Sequence, residues 1–241
     1  PNQPDGSLLQ TDIEHAIRPD DIHDPITRMV ILENTHNRCG GTVLSLEYSR
    51  AVAELAHSHG LHLHLDGARL FNAAAALKVE AIKVADPFDS VTFCLSKGLC
   101  APVGSVVCGS REFIKQGLRT RKILGGGMRQ AGILAAAGIV ALQEMTGRLH
   151  EDHEKATRLA QGLAKIPGIQ FEMGFPQTNM VFPSLTDEVT LTTRQVVEKL
   201  NALGVKLGAV ASRRFRLVTH YWITMEDIDD TIHAFEQVLA V

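Results

Sequence analysis

Short apolar runs alternate with helical patterns along the first half of the chain. Strands are predicted where four short runs are apolar or alternate with polar residues, at Met29–Leu32, Leu61–Leu65, Ser90–Leu95 and Gly104–Cys108. Between them, Ser49–His59 and Leu70–Leu77 repeat apolar residues at helical spacing. This alternation indicates an α/β layer architecture with a mainly parallel sheet.

The pattern changes in the second half. A glycine triplet at positions 125–127 precedes a long, Ala-rich helix predicted at Arg129–Met145, and apolar residues on nearly all its sides predict burial between layers or at a subunit contact. The remaining elements predict a compact α+β unit, in the order Glu151–Ala164 (helix), Gln170–Glu172 and Asn179–Pro183 (strands), Thr193–Leu203 (helix), Arg214–Thr219 (strand) and Met225–Leu239 (helix). We therefore predict two domains, residues 1–147 and 148–241.

Length, composition and charge exclude some classes of function. The 241 residues, 45% of them hydrophobic, can bury one large core or divide into two domains. A net charge of −3 with both signs interspersed gives no basic face for nucleic acid. No apolar stretch reaches the roughly 20 residues of a bilayer span, and no secretory signal opens the sequence. A cytoplasmic protein without membrane or nucleic-acid partners is expected.

The cysteines give no sign of a metal or redox site. Cys39, Cys94, Cys100 and Cys108 form no CxxC pair. We expect them to be buried free thiols in a reducing compartment.

Two charged side chains lie at the carboxyl ends of predicted strands. Strict alternation in Leu61–Asp66 places His62, His64 and Asp66 on one face. Lys97 directly follows the third strand, where partial desolvation would favour a neutral, nucleophilic amine. Ligands of open α/β sheets bind at this edge. Taken singly, however, a helix-capping aspartate and a lysine that snorkels to water are the simpler interpretations.

Two further segments carry groups that could bind anions. Backbone N–H groups of the glycine triplet suit a phosphate, and Lys122 and Arg129 could add charge, although a flexible loop is an equal interpretation. Arg214 and Arg216 share one face of a predicted strand, and each guanidinium suits a carboxylate. Their spacing is equally consistent with a solubility role on an edge strand.

Together these segments resemble the threonine aldolase branch of the fold-type I pyridoxal-phosphate (PLP) enzymes, in the aromatic amino acid beta-eliminating lyase/threonine aldolase group. Five stretches match in register: Leu32–Asn37, Leu65–Arg69, Leu95–Gly98, Gly125–Gln130 and Arg216–His220. The resemblance implies a PLP-dependent transferase-like large domain with the aspartate aminotransferase fold, followed by a small C-terminal α+β domain. Members of this family have a longer N-terminal portion, so the large domain is expected to be incomplete at that end.

The resemblance also implies which residues bind the cofactor, pyridoxal 5′-phosphate. Lys97 looks like the lysine that forms the internal aldimine, and Asp66 like the carboxylate that keeps the pyridine nitrogen protonated. Arg69, in the same motif as Asp66, is expected near the cofactor. Lys122 and Arg129 resemble residues at the cofactor phosphate or at the neighbouring subunit.

For the substrate, Arg69 and Arg216 look like the clamp of an amino-acid carboxylate, and His23 matches a histidine near the substrate hydroxyl. The implied reaction is retro-aldol cleavage of L-threonine or L-allo-threonine to glycine and acetaldehyde. The family also implies a homodimer or homotetramer, and no metal is expected.

Two other functions remain open on the sequence alone. A metal-dependent hydrolase could bind zinc or manganese through His62, His64 and Asp66, although this leaves Lys97 unexplained. Alternatively, the chain is a catalytically impaired, truncated relative that acts only by pairing with a full-length subunit through its Ala-rich helix.

Overall fold

The computed structural model describes residues 1–240, which fold into two compact units. The first unit comprises residues 1–37 and 43–149, and the second comprises residues 38–42 and the chain from residue 150 onward. The short 38–42 segment is attached to the second unit by a hydrogen bond from the Thr178 hydroxyl to the carbonyl of Gly41, 3.0 Å long.

The first unit contains a four-stranded sheet in the order β1-β2-β3-β4. Its strands are β1 (Met29–Glu33), β2 (His62–Asp66), β3 (Ser90–Cys94) and β4 (Ser105–Gly109). The first three strands are parallel and β4 is antiparallel to β3. Its helices are α1 (Gln10–Ala16), α2 (Leu46–Ser58), α3 (Leu70–Leu77), α4 (Ala81–Ala85), α5 (Arg111–Ile123) and α6 (Gly132–Val140). The predicted strands and the mainly parallel sheet are therefore confirmed.

The two faces of this sheet differ in burial. Leu32, Leu63 and Leu65 lie on the covered face and are at most 2% exposed. On the other face, Ile31 is 56% exposed and Val107 is 47% exposed. Parallel sheets are normally covered on both faces. Residues 1–240, however, leave this second face largely open.

Helix α6 departs from the prediction. It is followed by a π-helical turn, Ala141–Met145, rather than continuing as one regular helix. Within the described residues the expected burial between layers is not seen, because Ile133 is 84% exposed and Ile139 54% exposed. The predicted subunit contact for this surface stays a prediction. Within the same residues no helix combines the length and apolarity needed to cross a bilayer.

The cysteines are free thiols, as expected, but they are not buried. Cys108 is exposed and the other three are half-buried. Cys108 lies on β4, which has no further strand beside it within the described sheet.

The second unit is built around one central strand. Its strands are β5 (Ile169–Gln170), β6 (Met180–Val181), β7 (Ser184–Leu185), β8 (Gly208–Ala211) and β9 (Arg214–Val218). β9 pairs antiparallel with β6, β7 and β8. The helices α7 (Leu149–Leu163), α8 (Thr193–Ala202) and α9 (Met225–Leu239) enclose a core in which Phe215 and Phe235 meet edge to face at 5.9 Å.

Helices α7 and α9 approach closely at Gly162. This close approach predicts whether an alanine at position 162 stabilises or destabilises the fold. An alanine in mid-helix normally stabilises by about 1 kcal/mol relative to glycine. A Cβ at position 162, however, would lie 2.2, 2.7 and 3.2 Å from three side-chain atoms of Ile232, on both of its branches. We expect Gly162→Ala to destabilise by about 1–3 kcal/mol, because such overpacking outweighs the helix preference.

Urea unfolding followed by circular dichroism measures this effect. Gly117→Ala in α5 is the matched control, since a Cβ there meets no atom within 4 Å and should stabilise the helix. A Gly162→Ala variant as stable as Gly117→Ala would contradict the predicted close packing.

Candidate active site

Three chain segments meet at the carboxyl edge of the parallel strands. In the sheet register Glu33 of β1 faces Asp66 of β2, and Asp66 faces Thr92 of β3. The chain then leaves β1 at Asn34, β2 at Gly67 and β3 toward Lys97. This edge is where open α/β sheets bind ligands, so the structure brings Asp66 and Lys97 to the expected place.

Asp66 is held at the very end of β2 by a turn that requires glycine. A Cβ at Gly67 would lie 2.9 Å from the carbonyl oxygen of Thr92, and the Gly67 N–H donates to that same oxygen at 2.8 Å. The Asp66 carboxylate accepts a hydrogen bond from the Ala68 N–H at 3.2 Å. Its side chain is exposed and forms no ion pair within residues 1–240.

Lys97 lies in a tight turn closed by backbone hydrogen bonds. The Cys100 N–H donates to the carbonyl of Lys97 at 2.9 Å, and the Ala101 N–H donates to that of Leu95 at 3.0 Å. The Lys97 side chain is exposed, so the predicted partial desolvation is wrong for the residues described. Its amine has no hydrogen bond or ion pair within residues 1–240, and the backbone alone fixes its position.

The segment after β1 contributes a hydroxyl that the sequence did not single out. The Asn34 amide group bonds to both backbone groups of Leu44, at 3.1 and 3.2 Å, and fixes this loop. Next to it, Thr35 is 2% exposed, and its Oγ1 has no hydrogen-bond partner within residues 1–240. Buried polar groups are rarely left unpaired except where a ligand, water or ion completes the site. In the sequence, Thr35 lies two residues after β1, within the Leu32–Asn37 stretch that resembles the family, but neither signal pointed to its hydroxyl.

The alternation predicted for β2 is present, but it does not form a metal site. His62 turns toward Asp89, 3.7 Å away, and His64 instead contacts Ser90 and Thr92 on β3. Within residues 1–240 no group of three histidine, cysteine or acidic side chains is placed to hold a metal ion. The three metal ligands that the hydrolase alternative requires are therefore not assembled within the described residues.

The two arginines of β9 lie on one face, as predicted, but the structure gives them different partners. Arg214 forms an ion pair with Glu172 and donates to the Ser184 hydroxyl at 3.2 Å. Arg216 is half-buried and makes no hydrogen bond or ion pair within the described part of the chain. Of the two, only Arg216 keeps its guanidinium available for a carboxylate.

The amides of the glycine triplet are mostly used within the chain. Gly125 and Gly126 donate backbone hydrogen bonds to the carbonyls of Lys122 and Arg121, and Met128 donates to Gly126. These bonds close the end of α5, so the expected phosphate cradle at the start of a helix is not formed by them. Lys122 and Arg129 are both exposed, and their roles stay a prediction.

Arg69 lies just after the carboxyl end of β2, whereas His23 lies before the amino end of β1. Arg69 is half-buried three residues after Asp66, at the residue that precedes α3. His23 lies in the exposed loop that leads into the amino end of β1, where its N–H donates to Asp21 at 2.8 Å. Its ring makes no hydrogen bond or ion pair within residues 1–240, and its role near the substrate hydroxyl stays a prediction.

Comparisons with known proteins agree on one family. The profile of the family described as beta-eliminating lyase matches residues 1–200. The chain is 46% identical over 240 residues to low-specificity L-threonine aldolase 1 of Arabidopsis thaliana, covering 99% of this chain and 67% of that protein. The chain therefore spans about two thirds of the length of that relative.

Solved structures agree on the fold. A threonine aldolase from Leishmania major has a TM-score of 0.78 at 20% identity, covering 98% of this chain and 69% of that one. A PLP-dependent aminotransferase from Streptococcus suis has a TM-score of 0.71 at 18% identity, covering 95% of this chain and 60% of that one. The fold class predicted from the sequence is confirmed.

Proposed function

This chain belongs to the beta-eliminating lyase family and to its threonine aldolase branch, and from that premise we propose that it carries the catalytic residues of a PLP-dependent aldehyde-lyase. The proposed reaction is the cleavage of L-threonine or L-allo-threonine to glycine and acetaldehyde. One observation carries the proposal: Asp66 ends β2 and Lys97 comes shortly after the neighbouring parallel strand β3, and neither is paired to an opposite charge within residues 1–240.

The groups at this edge fit PLP, which the family and the fold imply. PLP offers an aldehyde and a basic ring nitrogen, for which a primary amine and a carboxylate are the matching protein groups. Lys97 supplies the amine and Asp66 the carboxylate. We therefore assign Lys97 to the aldehyde carbon and Asp66 to the pyridine nitrogen.

The remaining residues of the proposal act on the amino acid. When bound, PLP supplies an electron sink for the negative charge that develops at Cα. Asp66 holds the proton on the ring nitrogen through its own negative charge. Arg69 and Arg216 bind the substrate carboxylate and so orient the Cα–Cβ bond. Acetaldehyde forms only if the β-hydroxyl loses its proton, and His23 is the proposed acceptor.

Chemical trapping tests this assignment directly. PLP is added to the purified chain, visible absorbance is recorded, and borohydride reduction followed by peptide mapping locates the modified residue. The expected result is one modified lysine, Lys97, with acetaldehyde released from L-threonine. A label confined to another lysine would contradict the assignment of Lys97 to the aldehyde.

The second candidate function, a subunit partner without activity of its own, is favoured by one surface. The exposed side chains of α6, Ile133, Ile139 and Val140, form an apolar surface typical of protein contacts. The same surface supports the proposed homodimer or homotetramer. Gel filtration with a parallel retro-aldol assay separates the two functions, because a dimer that lacks activity with added PLP favours the partner role.

Arg216 provides a test of the substrate clamp. We expect Arg216→Ala to lower kcat/KM for L-threonine about a hundredfold, mainly through a higher KM, because removing one partner of a desolvated charge pair costs about 2–5 kcal/mol. Steady-state assays of acetaldehyde release measure this change.

Arg214→Ala is the matched control on the same face of β9. It removes the ion pair with Glu172 and the bond to Ser184, and such exposed pairs contribute about 0–1 kcal/mol to stability. We expect its kcat/KM to stay within about twofold of the unsubstituted chain. A larger loss at Arg214 than at Arg216 would reverse the assignment.

A further inference from the structure

Helix α5 (Arg111–Ile123) carries a row of cations along one side. Between Asp89 and Glu144 the chain has one acidic residue, Glu112, which accepts a hydrogen bond from Gln116 at 3.1 Å. Four basic residues of α5 recur at positions i, i+4, i+8 and i+11, and this spacing places them on the same side of a helix. We call them the basic stripe: Arg111, Lys115, Arg119 and Lys122. The overall charge of −3 therefore conceals a local excess of positive charge.

The basic stripe has no counter-charge within residues 1–240. All four of its side chains are exposed, and none of them forms an ion pair in this part of the chain. The strand beside α5 is β4, Ser105–Gly109, which has no charged residue. A row of like charges without partners attracts an extended anionic surface.

Exposed apolar side chains accompany the basic stripe. Phe113 anchors α5 to β4, because a Cβ at Gly109 would lie 2.7 Å from its ring. Farther along the helix, Leu118 is 52% exposed, Ile123 is 77% exposed and Leu124 is 79% exposed. Cations on one side of a helix and exposed apolar residues beside them are typical of helices that lie in the interface of an anionic bilayer.

The apolar residues favour a lipid surface over other polyanions. Nucleic acids are bound mainly through their phosphates, and exposed leucine and isoleucine side chains add little to such contacts. An anionic bilayer offers charged headgroups to the cations and, beneath them, acyl chains to the apolar side chains. It is thus complementary to both parts of α5.

We propose that α5 is a peripheral contact site for an anionic lipid surface. The basic stripe lies on the headgroups, and Leu118 and Ile123 enter the boundary with the acyl chains. The acidic residues elsewhere in the chain do not prevent this contact, since charges more than roughly 8 Å from the surface are screened at physiological ionic strength. The expected absence of a membrane partner rested on spans and signals, which a peripheral contact does not need. The contact is independent of the chemistry at Asp66 and Lys97.

Sedimentation with vesicles tests the electrostatic part. The purified chain is expected to bind vesicles of equal parts phosphatidylcholine and phosphatidylserine, and not vesicles of phosphatidylcholine alone. Combining Lys115→Gln with Arg119→Gln should weaken binding about thirtyfold, because each cation near an anionic surface contributes about fivefold. Both side chains are exposed, so the fold should persist, as circular dichroism would record.

A matched control removes the same two charges from the second unit. Arg194 and Lys199 are exposed on α8, and Arg194→Gln with Lys199→Gln should leave vesicle binding within about twofold, since these charges lie outside the contact. Equal losses in the two double variants would overturn the proposal, because binding would then follow overall charge and not α5. Failure of the unsubstituted chain to bind the phosphatidylserine vesicles would overturn it as well.

Leu118→Asn separates a lipid surface from other anionic partners. It keeps every cation but removes an apolar side chain, and it should weaken binding to the phosphatidylserine vesicles about tenfold, as expected for partial burial of one leucine. Binding to heparin, which has charge but no acyl chains, should stay within about twofold. Equal binding of Leu118→Asn and the unsubstituted chain to the vesicles, or binding to heparin alone, would reject the lipid surface and assign the basic stripe to a soluble polyanion or an acidic protein.

Discussion

Replacing Lys97 with alanine is expected to abolish covalent attachment of PLP and to lower retro-aldol activity by at least about a thousandfold, because Lys97 is the residue proposed to supply the primary amine for the aldehyde. The substitution should leave the fold almost unchanged. The turn is closed by backbone bonds that alanine retains, and the exposed side chain packs against little. Borohydride labelling, acetaldehyde release and thermal unfolding measure the three effects.

A second lysine serves as the control for this experiment. Lys83 in α4 is also exposed, so Lys83→Ala removes the same side chain from a position away from the strand ends. It should retain both the label and the activity. If Lys97→Ala kept its label while Lys83→Ala lost it, the proposed role of the sheet edge would be wrong.

The regular elements were largely predictable because their patterns are local. Helix α3 has the predicted bounds, Leu70–Leu77, and α9 has the bounds Met225–Leu239 that its spacing predicted. At the start of α9, Thr224 and Asp227 form a capping box, which fixes where the helix begins. Local signals of this kind lie within a few residues of one another and are readable in one sequence.

Helix α5 was not predicted, and its composition explains why. Its stretch from Arg111 to Ile123 is rich in charge, and none of its residues is buried. Its apolar residues Phe113, Ile114 and Leu118 do recur at helical spacing, but the charged residues around them obscured that pattern. A second signal is Ser110, whose side chain accepts from the Phe113 N–H and caps the first turn.

Other features depend on residues that are distant in sequence. Spacing could not separate Arg214 from Arg216, because the difference lies in Glu172, which is 42 residues from Arg214. Similarly, the partners of His64 are on β3, 26 and 28 residues away. The sequence indicated Asp66 and Lys97 because each lies at or shortly after the carboxyl end of its own strand, whereas pairing across strands became visible only in the fold.

Replacing Asp66 with asparagine is expected to lower kcat/KM for L-threonine by about a hundredfold to a thousandfold. The substitution keeps the size of the side chain but removes the negative charge proposed to hold the proton on the ring nitrogen. Loss of one partner of such a charge-assisted hydrogen bond costs about 2–5 kcal/mol. PLP titrations and acetaldehyde assays should both record the loss, and the turn should persist because Gly67 remains bonded to Thr92.

Glu33→Gln distinguishes a specific role of Asp66 from a general effect of negative charge at this edge. Glu33 faces Asp66 across the sheet register, but its carboxylate is already engaged by the Asn37 N–H at 3.0 Å and lies 3.7 Å from His36. We therefore expect Glu33→Gln to change PLP affinity by no more than about threefold, since a screened charge at this distance contributes little. Equal losses in the two variants would mean that the edge attracts the cofactor only through its summed charge, and that Asp66 has no individual contact with the ring nitrogen.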